Sequence, residues 1–401
     1  MTKHRTLRAL RIFTSLVLVA VMVFYTTGCE SVPAKGGKIA PDSTEEKVNR
    51  LMKDMTLDEK ILQMFIVTPE VLNGSTKSEF TEEERMKSAG EETREALQER
   101  PVGGLIYFAD NLQSREQTKQ MIRNSQTYAK EASGIPLFIG VDEEGGTVAR
   151  CAKKLGTTKF KPMQSYQDMG TSVARSNAKT IAQDISQFGF NLDFAPVADV
   201  NTASNSVIGT RAYSNDFSKA AELVPAAVQG FHDGGVLCTL KHFPGHGNTQ
   251  EDSHKGTAHL YKTLPELRRQ EFLPFQAGIR AGADMVMVGH IVVDKVDSRP
   301  ATLSKKLVTD VLREELGFHG LIITDSMGMG AITEKYSPGE AAVLAVQAGD
   351  DLLLGIYNIP EALAGIRTAV ESGQIPESRI DSSVRRILTQ KVELCILLTI
   401  F

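Results

Sequence analysis

The sequence Gly235-Val-Leu-Cys-Thr-Leu240 is a short apolar run, and Lys241-His-Phe-Pro-Gly-His-Gly247 follows it directly. Apolar runs bounded by glycine are typical of strands that are buried on both faces, as in parallel sheets. We therefore predict a buried strand with Lys241 and His242 at its carboxyl end, where a glycine-containing loop begins. In barrels of parallel strands this end carries the functional residues.

Further apolar runs, separated by helical patterns, extend this arrangement along the chain. Thr56 to Glu59 form a capping box, and Ser114 is a second helix-capping residue. Parallel strands need helical crossovers that cover the outer face of the sheet. The alternation therefore predicts a (β/α)8 barrel, with an open doubly wound sheet as the alternative. The predicted strands are residues 64–67, 104–108, 137–141, 191–194, 236–240, 285–288, 321–324 and 351–354.

Three segments fit this scheme less simply. Pro225 lies within the predicted helix 217–232 and should kink it. The charged segment 73–99 is longer than a usual connection, which indicates either a loop over the site or a surface helix. The apolar end, residues 392–401, is either the last barrel helix or an interruption before a second domain.

The amino terminus has the features of an exported lipoprotein. Basic residues precede the apolar run 12–25, and small residues then lead to Cys29. The apolar run is shorter than the roughly 20 residues of a membrane span, although a plain membrane-anchor helix is the alternative. We predict that residues 1–28 are a signal peptide, that Cys29 carries lipid, and that residues 29–45 are a tether to a membrane of the cell envelope.

Residues 46–401 are predicted to form one barrel domain with enlarged loops, since a barrel of this type needs roughly 250 residues. The formal charge of -4 and the pI of about 6.1 give no basic surface for nucleic acid. Besides Cys29, the cysteines Cys151, Cys238 and Cys395 allow at most one disulfide. Cys238 falls within a predicted strand, which favours a packing role.

Charged residues follow several of the predicted strands and should meet at one rim of the barrel. A buried aspartate needs a partner, because an isolated charge is costly to remove from water. A single aspartate at a strand end could simply cap the next helix, but the clustering favours a functional site. The predicted cluster consists of Asp142, Asp193, Asp199, Lys241, His242 and Asp325.

The loop from Leu240 to His254 is rich in histidine and allows three interpretations. The first is a metal site, but no pair of histidines has the tight helical spacing of zinc motifs, so we expect no metal. The second is that the histidines are structural. The third is a dyad in which Asp252 orients His254 for proton transfer. The candidate metal ligands are His242, His246, Asp252, His254 and His259.

The residues of the predicted cluster fall within longer motifs. These are Val141-Asp-Glu-Glu-Gly-Gly146 with Arg150, Asn191-Leu-Asp-Phe-Ala-Pro-Val-Ala-Asp199, Ile208-Gly-Thr-Arg211, Lys241-His-Phe-Pro-Gly-His-Gly247, Asp252-Ser-His254, Met287-Val-Gly-His290 and Thr324-Asp-Ser-Met-Gly-Met-Gly-Ala331. Taken together, these motifs resemble glycoside hydrolase family 3, and within it the β-N-acetylglucosaminidases of bacterial cell-wall turnover. The resemblance extends from about residue 55 to residue 388, and its long histidine motif is specific.

This resemblance implies a retaining glycosidase that needs no cofactor. Asp325 would attack the anomeric carbon and form a covalent glycosyl-enzyme, which water then hydrolyses. His254, with Asp252 as its partner, would protonate the leaving oxygen and then deprotonate the water. The residues implied to hold the sugar are Asp142, Arg211, Lys241 and His242.

The implied substrate is a glycan with a terminal β-linked N-acetylglucosamine, such as a peptidoglycan fragment, cleaved outside the cytoplasm. A β-glucosidase of the same family is one alternative, although the Asp-Ser-His loop favours the N-acetylglucosaminidase branch. A metal-dependent hydrolase is a second alternative. A sugar-binding lipoprotein without activity is a third, but binding alone needs neither the nucleophile nor the proton-transfer pair.

Overall fold

The computed structural model describes residues 43–203, 207–249 and 256–400, with side chains up to Leu394. The predicted signal peptide, the predicted lipidation site Cys29 and most of the predicted tether lie outside the described residues. Asp252 and His254 also lie outside them. Within the described helices, none combines the length and the apolar character needed to cross a membrane.

In the described part of the chain, parallel strands form one eight-stranded sheet whose order follows the sequence around a ring. Leu352 N–H donates to Ile322 O at 3.0 Å, and Thr324 N–H donates to Leu352 O at 3.0 Å. The eighth strand is therefore also hydrogen-bonded to the seventh, which closes the ring. The (β/α)8 prediction is confirmed, and the open-sheet alternative is wrong. The strands are β1 (Phe65–Val67), β2 (Gly104–Ile106), β3 (Phe138–Val141), β4 (Leu192–Asp193), β5 (Leu237–Phe243), β6 (Met285–Val288), β7 (Leu321–Thr324) and β8 (Leu353–Leu354).

Helices follow the strands, as their sequence patterns predicted. Thr56 accepts a hydrogen bond from Glu59 N at 3.2 Å, and Ser114 accepts one from Gln117 N at 3.2 Å, so both predicted caps are confirmed. The α-helices are Thr44–Lys53, Leu57–Gln63, Pro69–Leu72, Glu91–Glu99, Arg115–Ser133, Arg150–Lys154, Thr171–Ser186, Phe217–Asp233, Leu264–Arg269, Phe272–Arg280, Gly330–Thr333, Pro338–Ala348, Ile359–Glu371 and Glu377–Ile400, with a π-helix at Lys306–Glu315. Short 3-10 turns are Ala109–Asn111, Met163–Met169, Gly209–Arg211 and Ala301–Leu303.

Two small sheets lie beside the barrel. Glu143–Gly145 pairs with Val148–Ala149 in an antiparallel hairpin directly after β3. Ala258–Leu260 pairs in parallel with Ile291–Val293, just beyond β6. Both therefore extend from the carboxyl end of the barrel strands.

Each of the three less regular segments is at least partly helical. Pro225 lies inside the helix Phe217–Asp233 and does not end it, and the predicted kink stays a prediction. The segment 73–99 is irregular as far as residue 90 and then forms the helix Glu91–Glu99, so it contains both a loop and a helix. An ideal Cβ on Gly328 would lie 3.2 Å from Ser78 Cβ, so the irregular part borders the loop after β7. At the apolar carboxyl end, the helix Glu377–Ile400 continues the chain.

The strands form the centre of the core, and every one of their residues is buried. Cys151 and Cys238 are free and buried, which agrees with a packing role for Cys238. Gly140 on β3 shows how close the packing is, because an added Cβ would lie 2.7 Å from the ring of Phe194. A larger residue there would displace the aromatic ring from the barrel.

At the amino-terminal end of the barrel, Asp351 is fully buried and joins three elements. Its carboxylate accepts from Ile322 N–H on β7 at 3.1 Å and from Arg313 of the π-helix at 2.5 Å. Ser383 and Arg386 of the last helix donate to the other carboxylate oxygen at 2.6 and 3.0 Å. The last helix is therefore attached to the barrel by a buried charge.

We predict that Asp351→Ala lowers the free energy of unfolding by about 3–5 kcal/mol, because it leaves partly buried arginines without their counter-charge. Urea denaturation measures this change. The control is Asp310→Ala, which removes an exposed pair with Lys306 at 3.2 Å and should cost only about 0.3–0.5 kcal/mol. Equal effects of the two variants would show that the buried cluster does not hold the last helix.

Candidate active site

A cavity of about 360 Å³ opens at the carboxyl ends of the barrel strands. Its walls combine charged groups with apolar side chains such as Phe108 and Met287. This combination suits a polar ligand that also has apolar faces. The polar residues that line it are Asp142, Glu144, Arg150, Arg211, Lys241, His242, His246, Asp325 and Ser326.

The structure brings most of the predicted site residues together, but not all of them. Four members of the predicted rim cluster line the cavity, and so does Arg211. Asp193 and Asp199 do not line it, although the sequence placed them on the same rim. Both are fully buried. Asp199 holds His242 and His246, which line the cavity, whereas Asp193 holds the backbone of Glu143, which does not.

Lys241 and His242 both line the cavity although they are neighbours on β5. Consecutive side chains of a regular strand point to opposite faces. The pairing of β5 with β6 shifts register between Leu240 and Phe243, so the strand is irregular at this point. The irregularity allows two adjacent polar side chains to reach one space.

The ammonium group of Lys241 is buried between two carboxylates. It donates to Asp142 Oδ1 at 2.8 Å and lies 2.7 Å from Glu144 Oε1. Burial alone would lower the pKa of Lys241, but the charges of Asp142 and Glu144 raise it above its usual value. Lys241 is therefore a permanent cation in the cavity wall.

Glu144 joins Lys241 to Arg211. Arg211 ends the turn Gly209–Arg211, and its Nε and Nη2 donate to the two oxygens of Glu144 at 2.8 and 2.7 Å. Burial would raise the pKa of Glu144, but the charge of Lys241 and the contacts with Arg211 lower it to about 2. The cluster is therefore fully ionised at neutral pH.

The neighbouring Glu143 has the opposite environment. Its carboxylate accepts from Cys151 N–H at 2.7 Å and Ala152 N–H at 3.0 Å, at the start of the helix Arg150–Lys154. Burial raises its pKa to about 7, against the effect of these hydrogen bonds. Its own N–H donates to Asp193 Oδ1 at 3.0 Å. Glu143 and Asp193 thus hold the hairpin that carries Glu144.

Asp199 fixes two histidines from behind the wall. His242 Nδ1 donates to Asp199 Oδ2 at 2.7 Å, and His246 N–H donates to Asp199 Oδ1 at 2.6 Å. Burial would raise the pKa of Asp199, but the charge of His242 and its hydrogen bond lower it. The carboxylate therefore sets the orientation of His242 and keeps a proton on its Nδ1.

Asp325 directly follows β7, where the strand's hydrogen bonding fixes its backbone. Its N–H donates to Val288 O at 2.9 Å, and Ser326 N–H donates to its Oδ1 at 2.7 Å. The buried His290 donates from Nε2 to Ser326 O at 2.8 Å. The predicted nucleophile is therefore held at a rigid strand end inside the cavity.

The loop after β5 begins as a tight turn. Gly245 has a positive φ of 126°, which favours glycine. An added Cβ on Gly247 would lie 1.9 Å from Val200 O, and Gly247 O accepts from Thr202 N–H at 3.2 Å. The loop is therefore packed against the backbone as far as these contacts reach.

Within the described residues, one group of three side chains has metal-ligating atoms within 4.8 Å of one another. It consists of His232, Cys238 and Asp284, at the amino-terminal ends of β5 and β6 and away from the cavity. Asp284 Oδ2 already accepts from His232 Nε2 and from Cys238 N–H, both at 2.9 Å. None of these residues belongs to the histidine loop, for which the metal alternative stays untested.

Sequence reasoning missed Glu144 as the centre of the charge cluster. It had placed the residue in a motif without giving it a role. Its spacing from Asp142 could have identified it. The two residues are two positions apart, and in an extended chain such side chains lie on the same face. His246 was named only as a candidate metal ligand, and its place in the cavity wall was not predicted.

Comparison with known families gives an independent result. The sequence profile described as "Glycosyl hydrolase family 3 N terminal domain" matches residues 56–390. This match covers most of the chain and contains the whole barrel with all the cavity residues described above.

Similar proteins have names of the same kind. The chain is 32% identical over 330 residues to "Beta-hexosaminidase A" of Pseudoalteromonas piscicida, covering 76% of this chain and 55% of that protein. It is 37% identical over 283 residues to "Beta-hexosaminidase" of Stenotrophomonas maltophilia (strain R551-3), covering 68% of this chain and 82% of that protein. The chain thus spans about half the length of the first relative and most of the second.

A solved structure agrees in fold and in sequence. It is a glycoside hydrolase family 3 beta-N-acetylglucosaminidase from a Paenibacillus species, with a TM-score of 0.77 and 36% identity. The match covers 85% of this chain and 63% of that one. From the profile, the relatives and this structure together, the chain belongs to glycosyl hydrolase family 3.

Proposed function

We propose that this chain is an exo-acting, retaining β-N-acetylglucosaminidase that removes terminal N-acetylglucosamine from peptidoglycan fragments or related glycans. The observation that carries the proposal is the cavity at the strand ends, where Asp325 shares one small space with fixed cations and carboxylates. A cavity of about 360 Å³ suits a single terminal sugar rather than the middle of a long chain.

Sugar binding is assigned to Asp142, Arg211, Lys241 and His242. These groups offer both donors and acceptors, and a buried hydroxyl group needs a partner of each kind. Asp142 and Arg211 keep 19% and 21% of their side chains exposed, so both can still reach a ligand. Their positions are fixed before the sugar arrives, which lowers the entropic cost of binding.

The nucleophile in this proposal is Asp325. Its carboxylate lines the cavity at the end of β7, and the short loop after it is held by His290. Attack on the anomeric carbon breaks the glycosidic bond and forms a glycosyl ester on Asp325, and water then cleaves that ester. A rigid nucleophile supports this step because the reacting atoms must approach within about 3–3.5 Å.

Proton transfer is assigned to His254 with Asp252. The chain approaches them from Thr249, which is buried beside His246 in the cavity wall. His254 is five residues further on, and an extended chain spans about 3.4 Å per residue, so the cavity is within its reach. His254 would donate a proton to the leaving oxygen and later take one from water.

The location follows from the amino terminus in this proposal. The basic and apolar pattern before Cys29 supports export, lipidation of Cys29 and attachment to the membrane. A tether ending at residue 45 would leave the barrel free to meet cell-wall glycans. Labelling of the protein with a radioactive or alkyne-tagged fatty acid tests the lipidation of Cys29. The label should be absent from the Cys29→Ser variant.

We predict that the protein releases aryl alcohol from an aryl β-N-acetylglucosaminide faster than from the matching β-glucoside, with chelator present. Asp325→Ala should lower kcat by about 10⁴-fold or more, because the covalent step is lost. Proton NMR should show the β-anomer as the first product, as two displacements at one carbon retain configuration.

The outcomes separate the alternatives. The surface variant Asp310→Ala should keep full activity and serves as the control. Loss of activity with chelator would indicate a metal-dependent hydrolase, and preference for the glucoside would indicate a β-glucosidase. A folded protein that turns over neither sugar would be a binding protein, and an α-anomer as first product would exclude the retaining mechanism.

We predict that His254→Ala slows substrates with poor leaving groups by about 10²–10³-fold, because these need a proton on the departing oxygen. For substrates with a dinitrophenyl leaving group, the rate of the bond-breaking step should fall by less than about tenfold. Steady-state kcat/KM values for the two substrates measure this difference.

His259→Ala is the matched control, since it lies five residues away and contacts Asp294 at 3.0 Å rather than lining the cavity. It should leave both substrates within about twofold of the unmodified protein. Equal losses on both substrates in His254→Ala would mean that His254 is not the acid.

A further inference from the structure

Glu144 is buried in the cavity wall between two cations that the proposed function assigns to sugar binding. Its Oε1 lies 2.7 Å from both Lys241 Nζ and Arg211 Nη2, and its Oε2 accepts from Arg211 Nε at 2.8 Å. We propose that Glu144 is a positioning residue that fixes these cations and cancels their charge, so that the cavity takes a neutral sugar and excludes inorganic anions. This inference rests on the proposed function only for the identity of the sugar.

Glu144 can position both cations because its Oε1 contacts Lys241 and Arg211 at the same time. A bidentate contact fixes the plane of a guanidinium group, whereas a lysine held by one carboxylate can still rotate. Lys241 has a second contact with Asp142, so Glu144 and Asp142 together fix its ammonium group. One oxygen of Glu144 thus sets the distance between the two cations, and neither has to be ordered by the ligand.

Glu144 also balances the charges of the residues that line the cavity. The described residues that line the cavity include three cations, Arg150, Arg211 and Lys241, and three carboxylates, Asp142, Glu144 and Asp325. Their formal charges cancel when the histidines are neutral. Without Glu144, an arginine and a lysine would lie side by side with excess positive charge, which is the usual composition of a sulfate or phosphate site.

We expect two results from Glu144→Gln, which keeps the shape of the side chain and removes its charge. The KM for the aryl β-N-acetylglucosaminide should rise and kcat/KM should fall by about 10²-fold, because the cations are no longer held in place. Sulfate, which the unmodified protein should bind weakly, should bind at least about tenfold more tightly. Kinetics measures the first result, and isothermal titration calorimetry with sodium sulfate measures the second.

Two further variants keep the test decisive. Glu315→Gln removes a bidentate contact with Arg268 on the outer surface, at 2.6 and 2.8 Å, and should change neither KM nor sulfate affinity. Glu144→Asp keeps the charge but shortens the side chain by one methylene group. It should raise KM while sulfate binding stays weak, and it tests the proposal if Glu144→Gln does not fold.

The outcomes also separate this proposal from the proposed function. A Glu144→Gln variant with lowered kcat, unchanged KM and unchanged sulfate affinity would show a purely structural role and overturn the inference. The calorimetric measurement needs no turnover. Absence of glycosidase activity in the unmodified protein would therefore disprove the proposed function, while sulfate binding would still decide the role of Glu144.

Discussion

All the strands of the barrel run in the same direction, and this constraint decides where the protein can place charge. The middle of each strand is enclosed by other strands and by helices, so most side chains there are apolar and a polar one needs a partner. Charged groups collect at the two ends of the barrel, where they are still largely removed from water. Each buried charge must then be paired, because an unpaired one would cost several kcal/mol.

The two ends meet this requirement in different ways. At the amino-terminal end, Asp351 is completely buried and its partners belong to the barrel and the last helix. At the carboxyl end, Glu144 is just as well paired, but Asp142 and Arg211 remain partly exposed to the cavity. The first cluster uses its charges to join elements, and the second leaves hydrogen-bonding capacity for a ligand.

The fold could be predicted from the sequence because strands of a parallel barrel are buried on both faces and read as continuous apolar runs. The site was partly predictable for the same reason, since Asp142, Lys241, His242 and Asp325 directly follow or end such runs. The rule that parallel strands end at the same edge of a sheet is enough to predict that these residues lie together. The predicted ends of the strands were less accurate, as β4 has two residues where four were predicted.

The remaining features depend on contacts between distant parts of the chain. Nothing near Asp193 or Asp199 in the sequence shows that they lie behind the cavity wall, because their hydrogen-bond partners are about 40 to 50 residues away. Tertiary contacts, and not their neighbours in the sequence, decide where these two carboxylates lie.

Glu143 and Glu144 show why the chemistry of such a site cannot be read from residue type alone. They are adjacent and identical, but extended backbone sends their side chains to opposite sides of the hairpin. Glu143 meets backbone N–H groups in a dry environment, and burial raises its pKa to about 7. For Glu144 the same burial is outweighed by Lys241 and Arg211, which lower its pKa to about 2. One carboxyl group is therefore partly protonated at neutral pH while its neighbour is fully ionised, and only the fold determines which one it is.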